Sequence, residues 1–316
     1  MKKLLQKIEN LPVGAIATMV GLSTLSNVYA TLGYSGIRHI TMLVGCLVWT
    51  AAFLKITVHF KTFKTEYQNV IPASLYATFT MLTMILGSYI FTYSPLIGKS
   101  VWLVGLILHA IHILIFTYRN VIKGVQKETF VPTWFVTYNG LLVSVVVGTA
   151  MNMTTLLKVI TGYGIAIFLI LIPFMVIRMI RRPLPDPLAQ TAAILLAPSS
   201  LCLVSYLNVS ANPQAIVVYG LYTIVFATLV FILFNIPKFF KFQFHPGFAA
   251  LTFPLAIGLV ASTKMSAYLT SQGMNHLGSL IHEVVGIQLY VTTIIIGFVA
   301  YNFVRLLVRS YDHSKE

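Results

Sequence analysis

The feature that most limits what this chain can fold into is a succession of apolar runs, each about as long as a bilayer crossing. A hydrocarbon core about 30 Å thick needs about 20 apolar residues per helix. Ten segments qualify, at 12–29, 38–60, 72–92, 97–120, 132–151, 156–180, 188–208, 214–237, 247–269 and 280–307. Only 9% of the 316 residues are charged and 58% are apolar, too little charge to cover a soluble protein of this size. With no water at mid-bilayer, backbone N–H and C=O groups must bond internally, so spans of this length read as helices. The expectation is an all-α integral membrane protein, multi-pass in the cell membrane, with residues 1–316 forming one transmembrane domain. The connections are short, so neighbouring spans should pair as antiparallel hairpins. The basic stretch Met1 to Asn10 runs straight into the first span without a small-residue cleavage pattern, and reads as a cytoplasmic tail.

Basic residues set the orientation. With the N-terminus inside, 17 of the 21 lysines and arginines fall in cytoplasmic segments, and only Arg38, Lys99, Lys158 and Lys264 fall outside. Both termini are then cytoplasmic. The net charge of +14 sits at the ends of apolar runs and forms no basic patch, so nucleic acid is not an expected partner. Cys46 and Cys202 lie within apolar runs and read as packing residues, not as a disulfide framework.

Proline marks a repeat. Pro12, Pro72, Pro132, Pro187 and Pro246 stand at or near the start of each odd-numbered span, 60, 60, 55 and 59 residues apart. One proline can simply open a helix, where its missing N–H has no partner anyway. Five at near-constant spacing point to one helical hairpin used five times. The odd spans are rich in small and hydroxyl residues, and the even ones in bulky apolar side chains. Small residues allow close helix approach, and facing a common axis they also leave room for a lumen. The expected architecture is quasi-fivefold, with inner odd helices lining a central pore and even helices outside. Six residues after the marker prolines stand Thr18, Thr78, Tyr138, Ala193 and Thr252, a candidate pore-lining ring in which four of five carry a hydroxyl. Pro198 and Pro254 fall inside odd spans, where a proline removes a backbone bond and kinks the helix. Phe253 directly precedes the second kink. Residue type leaves two readings for it, a plug in the lumen or a ring packed between helices.

A resemblance bears on that choice. The stretch Ile194-Leu-Leu-Ala-Pro-Ser-Ser-Leu-Cys-Leu-Val-Ser-Tyr-Leu207 resembles a helix of the tellurite-resistance/dicarboxylate transporter family. Gly247-Phe-Ala-Ala-Leu-Thr-Phe-Pro-Leu-Ala-Ile-Gly258 is similar to that family's Phe-Pro pore helix, and Leu11-Pro-Val-Gly14 fits its opening. That family takes in bacterial tellurite-resistance homologues, fungal malate and sulfite carriers and the slow anion channels of plant guard cells. The resemblance implies a homotrimer of independent pores, each made by five kinked inner helices. It also implies that Phe253 occludes the pore midway, with Ala17 as the small residue beside the ring.

The expected function is passage of small inorganic or organic anions, as efflux where the potential is negative inside, with the lipid bilayer as the other partner. Odd helices that start inside turn five positive helix ends to the cytoplasm, and the basic loops add to that potential. The seven acids are Glu9, Glu66, Glu128, Asp186, Glu283, Asp312 and Glu316, none at mid-membrane depth, which favours passive conduction over proton coupling. Two rivals rest on His109 and His112, one helical turn apart in the fourth span. One is a proton-coupled C4-dicarboxylate (malate) or sulfite carrier. The other is a membrane redox enzyme using the pair as ligands. Two histidines on one helix are few for a metal or haem, so neither cofactor nor metal nor catalytic residue is expected.

Overall fold

The computed structural model describes residues 8–312, and Lys2, Lys3, Lys7 and Lys315 of the basic ends lie outside them. All regular structure among these residues is helical: α1 Val13–Thr31, α2 Ser35–Val58, α3 Phe60–Gln68, α4 Val70–Phe91, α5 Pro95–Thr117, α6 Trp134–Tyr138, α7 Val143–Val147, α8 Thr154–Arg181, α9 Leu196–Val209, α10 Ala215–Phe239, α11 Thr252–Ser271 and α12 Asn275–Asp312. A π-turn, Tyr118–Ile122, prolongs α5; 3-10 stretches Asp186–Leu195 and Pro246–Leu251 lead into α9 and α11. Counting these extensions, nine of the described helices are long and apolar enough to cross a membrane.

Burial sorts them into two layers. In the segments opened by Pro12, Pro72, Pro187 and Pro246, 61–78% of the most apolar stretch is buried; in α2, α5, α8, α10 and α12 the share is 22–33%. The proline-opened segments therefore form the inside, and the bulky even helices turn their side chains outward. Backbone proximity makes the inner layer possible. A Cβ on Gly14 would lie 2.7 Å from the Pro246 carbonyl oxygen, and one on Gly21 2.8 Å from the Phe253 nitrogen. Two inner helices stop in the same way: Gly33 (φ +95°) and Gly273 (φ +78°) take the left-handed conformation that lets Tyr34 N–H reach back to Tyr29 O (2.9 Å) and Met274 N–H to Leu269 O (3.0 Å).

Four expectations need correction. The span at 132–151 is not a continuous α-helix: α6 and α7 are five residues each, joined through the 3-10 turn Gly140–Leu142 and followed by another, Thr149–Met151. Gly140 and Gly148 hold a helix poorly, and the segment instead bonds to its neighbours, as described below. Pro198 and Pro254 do not kink a running α-helix. Each is the third residue of α9 or α11, and the chain before it is 3-10. A proline ring clashes with the carbonyl four residues earlier, so the α-pattern cannot extend back past it and the tighter helix takes over. The second span does not run to residue 60; it ends at Val58 and the chain turns into the short α3. Lastly, Lys55 is no free cytoplasmic charge. It is 2% exposed, its Nζ lying 2.7 Å from Glu66 Oε1 and donating to Leu11 O at 2.8 Å, while Tyr76 donates to Glu66 Oε2 at 2.5 Å. This clip ties the start of α1, the end of α2, α3 and α4 together.

The α4–α5 hairpin is the closest of the inner-to-outer contacts at glycine: a Cβ on Gly98 would collide with the backbone nitrogen of Phe91, and one on Gly87 would stand 2.5 Å from that of Trp102. Backbone cannot move aside as a flexible side chain can. Gly87→Val is expected to cost about 1–3 kcal/mol, read as a lower unfolding temperature of the detergent-solubilised protein. An unchanged temperature would mean that the two helices have room to part.

Candidate functional site

At the centre of the inner layer lies a small cavity with contributions from all five proline-opened segments. Ala17 comes from α1, Thr78 from α4, Val136 and Gly140 from the broken segment, Ala197 from α9, and Ala249 and Phe253 from the last. The cavity's volume is about 30 Å³, room for only a water or two, and its walls are almost wholly apolar. A second and larger cavity of about 580 Å³ opens beside it. Thr24, Asn27, Arg38, Ser88, Val147, Thr263 and Lys264 are among its walls, and Phe253 belongs to both cavities. Phe253, 9% exposed, therefore contributes to the walls of both the inner chamber and the larger vestibule.

The broken segment owes its place to side chains from the surrounding helices. His109 Nε2 donates to Thr137 O (2.9 Å), Trp102 Nε1 to Ser144 O (3.1 Å), and the Ser88 hydroxyl to Val147 O (2.9 Å). Asn139 in turn donates to Gly164 O on α8 (2.9 Å). Carbonyls freed by the loss of regular α-helix thus find partners inside the protein, as backbone at membrane depth must. The absence of a Cβ at Gly140 is required here, since one would lie 2.9 Å from the His109 ring.

The expected hydroxyl ring does not assemble around this chamber. Of its members only Thr78 lines the cavity. Tyr138 turns outward between α5 and α8, its hydroxyl 3.0 Å from that of Thr117. Thr252 packs on α1 against Gly21, and Ala193 is fully buried away from the cavity. The hydroxyls of Thr18, Thr78 and Thr252 all donate to carbonyls of their own segments, Gly14 O (2.9 Å), Leu75 O (2.7 Å) and Ala249 O (2.7 Å). An anion needs donors, and these protons are already given away. Ala17 and Phe253, by contrast, meet in one cavity wall.

His109 and His112 are buried with all four ring nitrogens engaged. His109 Nδ1 lies 2.6 Å from the Thr80 hydroxyl and His112 Nδ1 2.7 Å from that of Tyr67, while His112 Nε2 is 3.1 Å from the Thr137 hydroxyl. Rings held this way brace α5 against α3, α4 and the broken segment, and have no nitrogen left for a metal. Among the described residues no three His, Cys, Asp or Glu side chains gather in metal-binding range.

The vestibule cations were not singled out by the sequence, although a signal was there. Only four basic residues fall on the far side of the spans, and two of them, Arg38 and Lys264, wall this one cavity. Arg38 is held in place by its Nε bond to Asn27 Oδ1 (2.8 Å) and by the Tyr89 ring, 5.1 Å from its guanidinium carbon.

Long apolar helices around inner segments of which one is broken, with a small apolar cavity where those segments meet and a basic cavity beside it, define an integral membrane protein. The chain belongs to the SLAC1 family, described as voltage-dependent anion channels, whose model matches residues 10–307. No curated protein matches it. It is thus a multi-pass membrane protein of an anion channel and transporter family.

Removing both vestibule charges, in Arg38→Gln/Lys264→Gln, is expected to weaken anion capture at that mouth on the order of tenfold at low ionic strength. The loss should shrink as added salt screens the charges. Conductance from the vestibule side at graded chloride concentrations tests this; an unaltered concentration dependence would mean that the two cations do not gather anions.

Proposed function

We propose that the chain is a channel for small anions whose pore runs along the axis ringed by the five proline-opened segments and is closed by Phe253. The observation that carries this reading is the position of Phe253 in the walls of both cavities, with all five segments meeting in the inner one. In this reading residues 132–151 supply the tenth crossing, the five hairpins repeat around a quasi-fivefold axis, and both termini lie in the cytoplasm. Anions gather at the cytoplasmic mouth, where positive helix ends and basic loops attract them, and stop at the phenylalanine. Rotation of the ring or movement of α11 about its 3-10 junction joins chamber and vestibule. A potential negative inside drives efflux by about 2.3 kcal/mol per charge at 100 mV. The walls are apolar and carry no group that distinguishes tellurite, malate, sulfite, nitrate or chloride, so selectivity by size and ease of dehydration is part of the proposal. So is the homotrimer of independent pores that the family resemblance implies.

Truncating the plug tests the reading. Phe253→Ala should raise anion flux into liposomes on the order of tenfold, a barrier lower by about 1.4 kcal/mol, with folding and oligomer size intact. Equal flux in the folded mutant would remove Phe253 from the gate.

One observation keeps a proton-coupled carrier as a second reading. His109 lies directly behind Gly140 in the chamber wall and continues through Thr137 and His112 to Tyr67. Flux that follows an imposed pH gradient and not the membrane potential would favour this carrier, with dicarboxylate or sulfite as cargo.

A further inference from the structure

A groove between α5 and α8, separate from the central cavities, carries a binding site of its own. It encloses about 710 Å³ and is walled along its length by apolar residues, Ile167, Ile170 and Phe174 from α8 and Val121 and Val125 from the end of α5 and the loop after it. Trp134 and Tyr138 of the broken segment also line it. The π-turn Tyr118–Ile122 widens α5 at this point. At one end the apolar walls give way to a rim of four cations, Lys127, Arg178, Arg181 and Arg182. Only Glu128 answers them, through its contact with Arg182 (2.7 Å), which leaves three positive charges without an acid among the described residues. Arg178 is steadied by its own donation to Arg182 O (2.9 Å), yet its Nε is buried without a partner. The groove on the other flank of α8 is apolar too, but has Lys238 as its sole cation. The clustering therefore belongs to one groove and not to the whole basic end of the bundle.

From the apolar wall and the cationic rim together, we infer that this groove binds an anionic phospholipid of the adjoining leaflet, acyl chain between α5 and α8 and phosphate at the arginine rim. Dimensions agree. From Ile167 to Arg181 the helix rises about 21 Å, enough for one leaflet's hydrocarbon, half of about 30 Å, and the start of the headgroup layer. Chemistry agrees as well, since basic pockets between transmembrane helices suit phosphate-bearing headgroups, and arginine meets phosphate with a planar fork. A second copy of this chain is a poor occupant. Glu9, Glu66 and Glu128 are engaged with His59 and Thr62, with Lys55, and with Arg182, so Asp186 is the one acid of known placement left near a basic end to face four cations.

The inference stands apart from conduction and is tested without it. Full-length protein is reconstituted in nanodiscs of dioleoyl phosphatidylcholine with added dioleoyl phosphatidylglycerol, and the lipid retained on mild release is counted by native mass spectrometry. Wild type should keep phosphatidylglycerol in preference to phosphatidylcholine. Lys127→Gln/Arg181→Gln, which removes two rim charges that make no internal hydrogen bond among the described residues, should weaken that preference on the order of tenfold. A photoactivatable phosphatidylglycerol should label residues 167–177, and should do so less in the double variant. Equal retention of the two lipids, a preference unmoved by the double variant, or cross-links from the groove to another copy of the chain would overturn the proposal.

Discussion

The centre of this protein depends on hydrogen bonds from neighbouring helices to backbone carbonyls that the broken inner segment cannot bond itself. A continuous α-helix would satisfy its own backbone and need no such help, but five smooth helices packed together would leave little along their common axis. Here His109 and Trp102 from the outer α5 and Ser88 from the neighbouring inner α4 hold Thr137, Ser144 and Val147, so the fifth span can be irregular at a depth where water is absent. In lipid a carbonyl left bare costs several kcal/mol. The broken segment is therefore as fixed as a helix, and a cavity beside it can be small and stable.

That dependence explains which parts of the structure were legible in the amino-acid sequence. Apolar length gave nine of the ten expected spans, because an uninterrupted helix needs little more than length and hydrophobicity. The marker prolines separated inner from outer segments, since each proline-opened stretch is the one rich in small residues. Residues 132–151 look equally apolar; Gly140 and Gly148 weaken the helix locally, but the partners that hold the broken form lie far away in the chain, 28 residues back for His109 and 59 for Ser88. No local pattern announces such contacts. The hydroxyl ring failed for a related reason. A six-residue offset from proline assumes the same helical register in every segment, whereas the segments pass through different lengths of 3-10 helix. Phe253 and Ala17 came from family resemblance, which carries register implicitly, and both line the inner cavity. Lys55 was misread because a lysine at the end of a span ordinarily reaches water. Its burial is decided by Glu66, eleven residues on, across a turn that composition does not reveal.

Charge differs between the two cavities that share Phe253. The larger cavity has two cations, Arg38 and Lys264, in its walls, while the walls of the small chamber are almost wholly apolar. An anion at the vestibule keeps company with Arg38 and Lys264, and any ion in the chamber would have to leave most of its water behind. Phe253, in the walls of both cavities, thus stands where the basic and the apolar surroundings adjoin.

The ten-residue 3-10 stretch before α9 also changes how far the chain reaches. At about 2.0 Å per residue it covers about 20 Å where an α-helix would cover about 15 Å. With α9 the 24 residues from Asp186 to Val209 extend about 41 Å, so a modest number of residues traverses the full thickness of membrane and headgroups. The tighter coil is also slimmer. At the end of the bundle where several chains converge, this segment and the one before α11 take up less cross-section than α-helices would, and the crowding at the axis is relieved by backbone geometry as well as by small side chains.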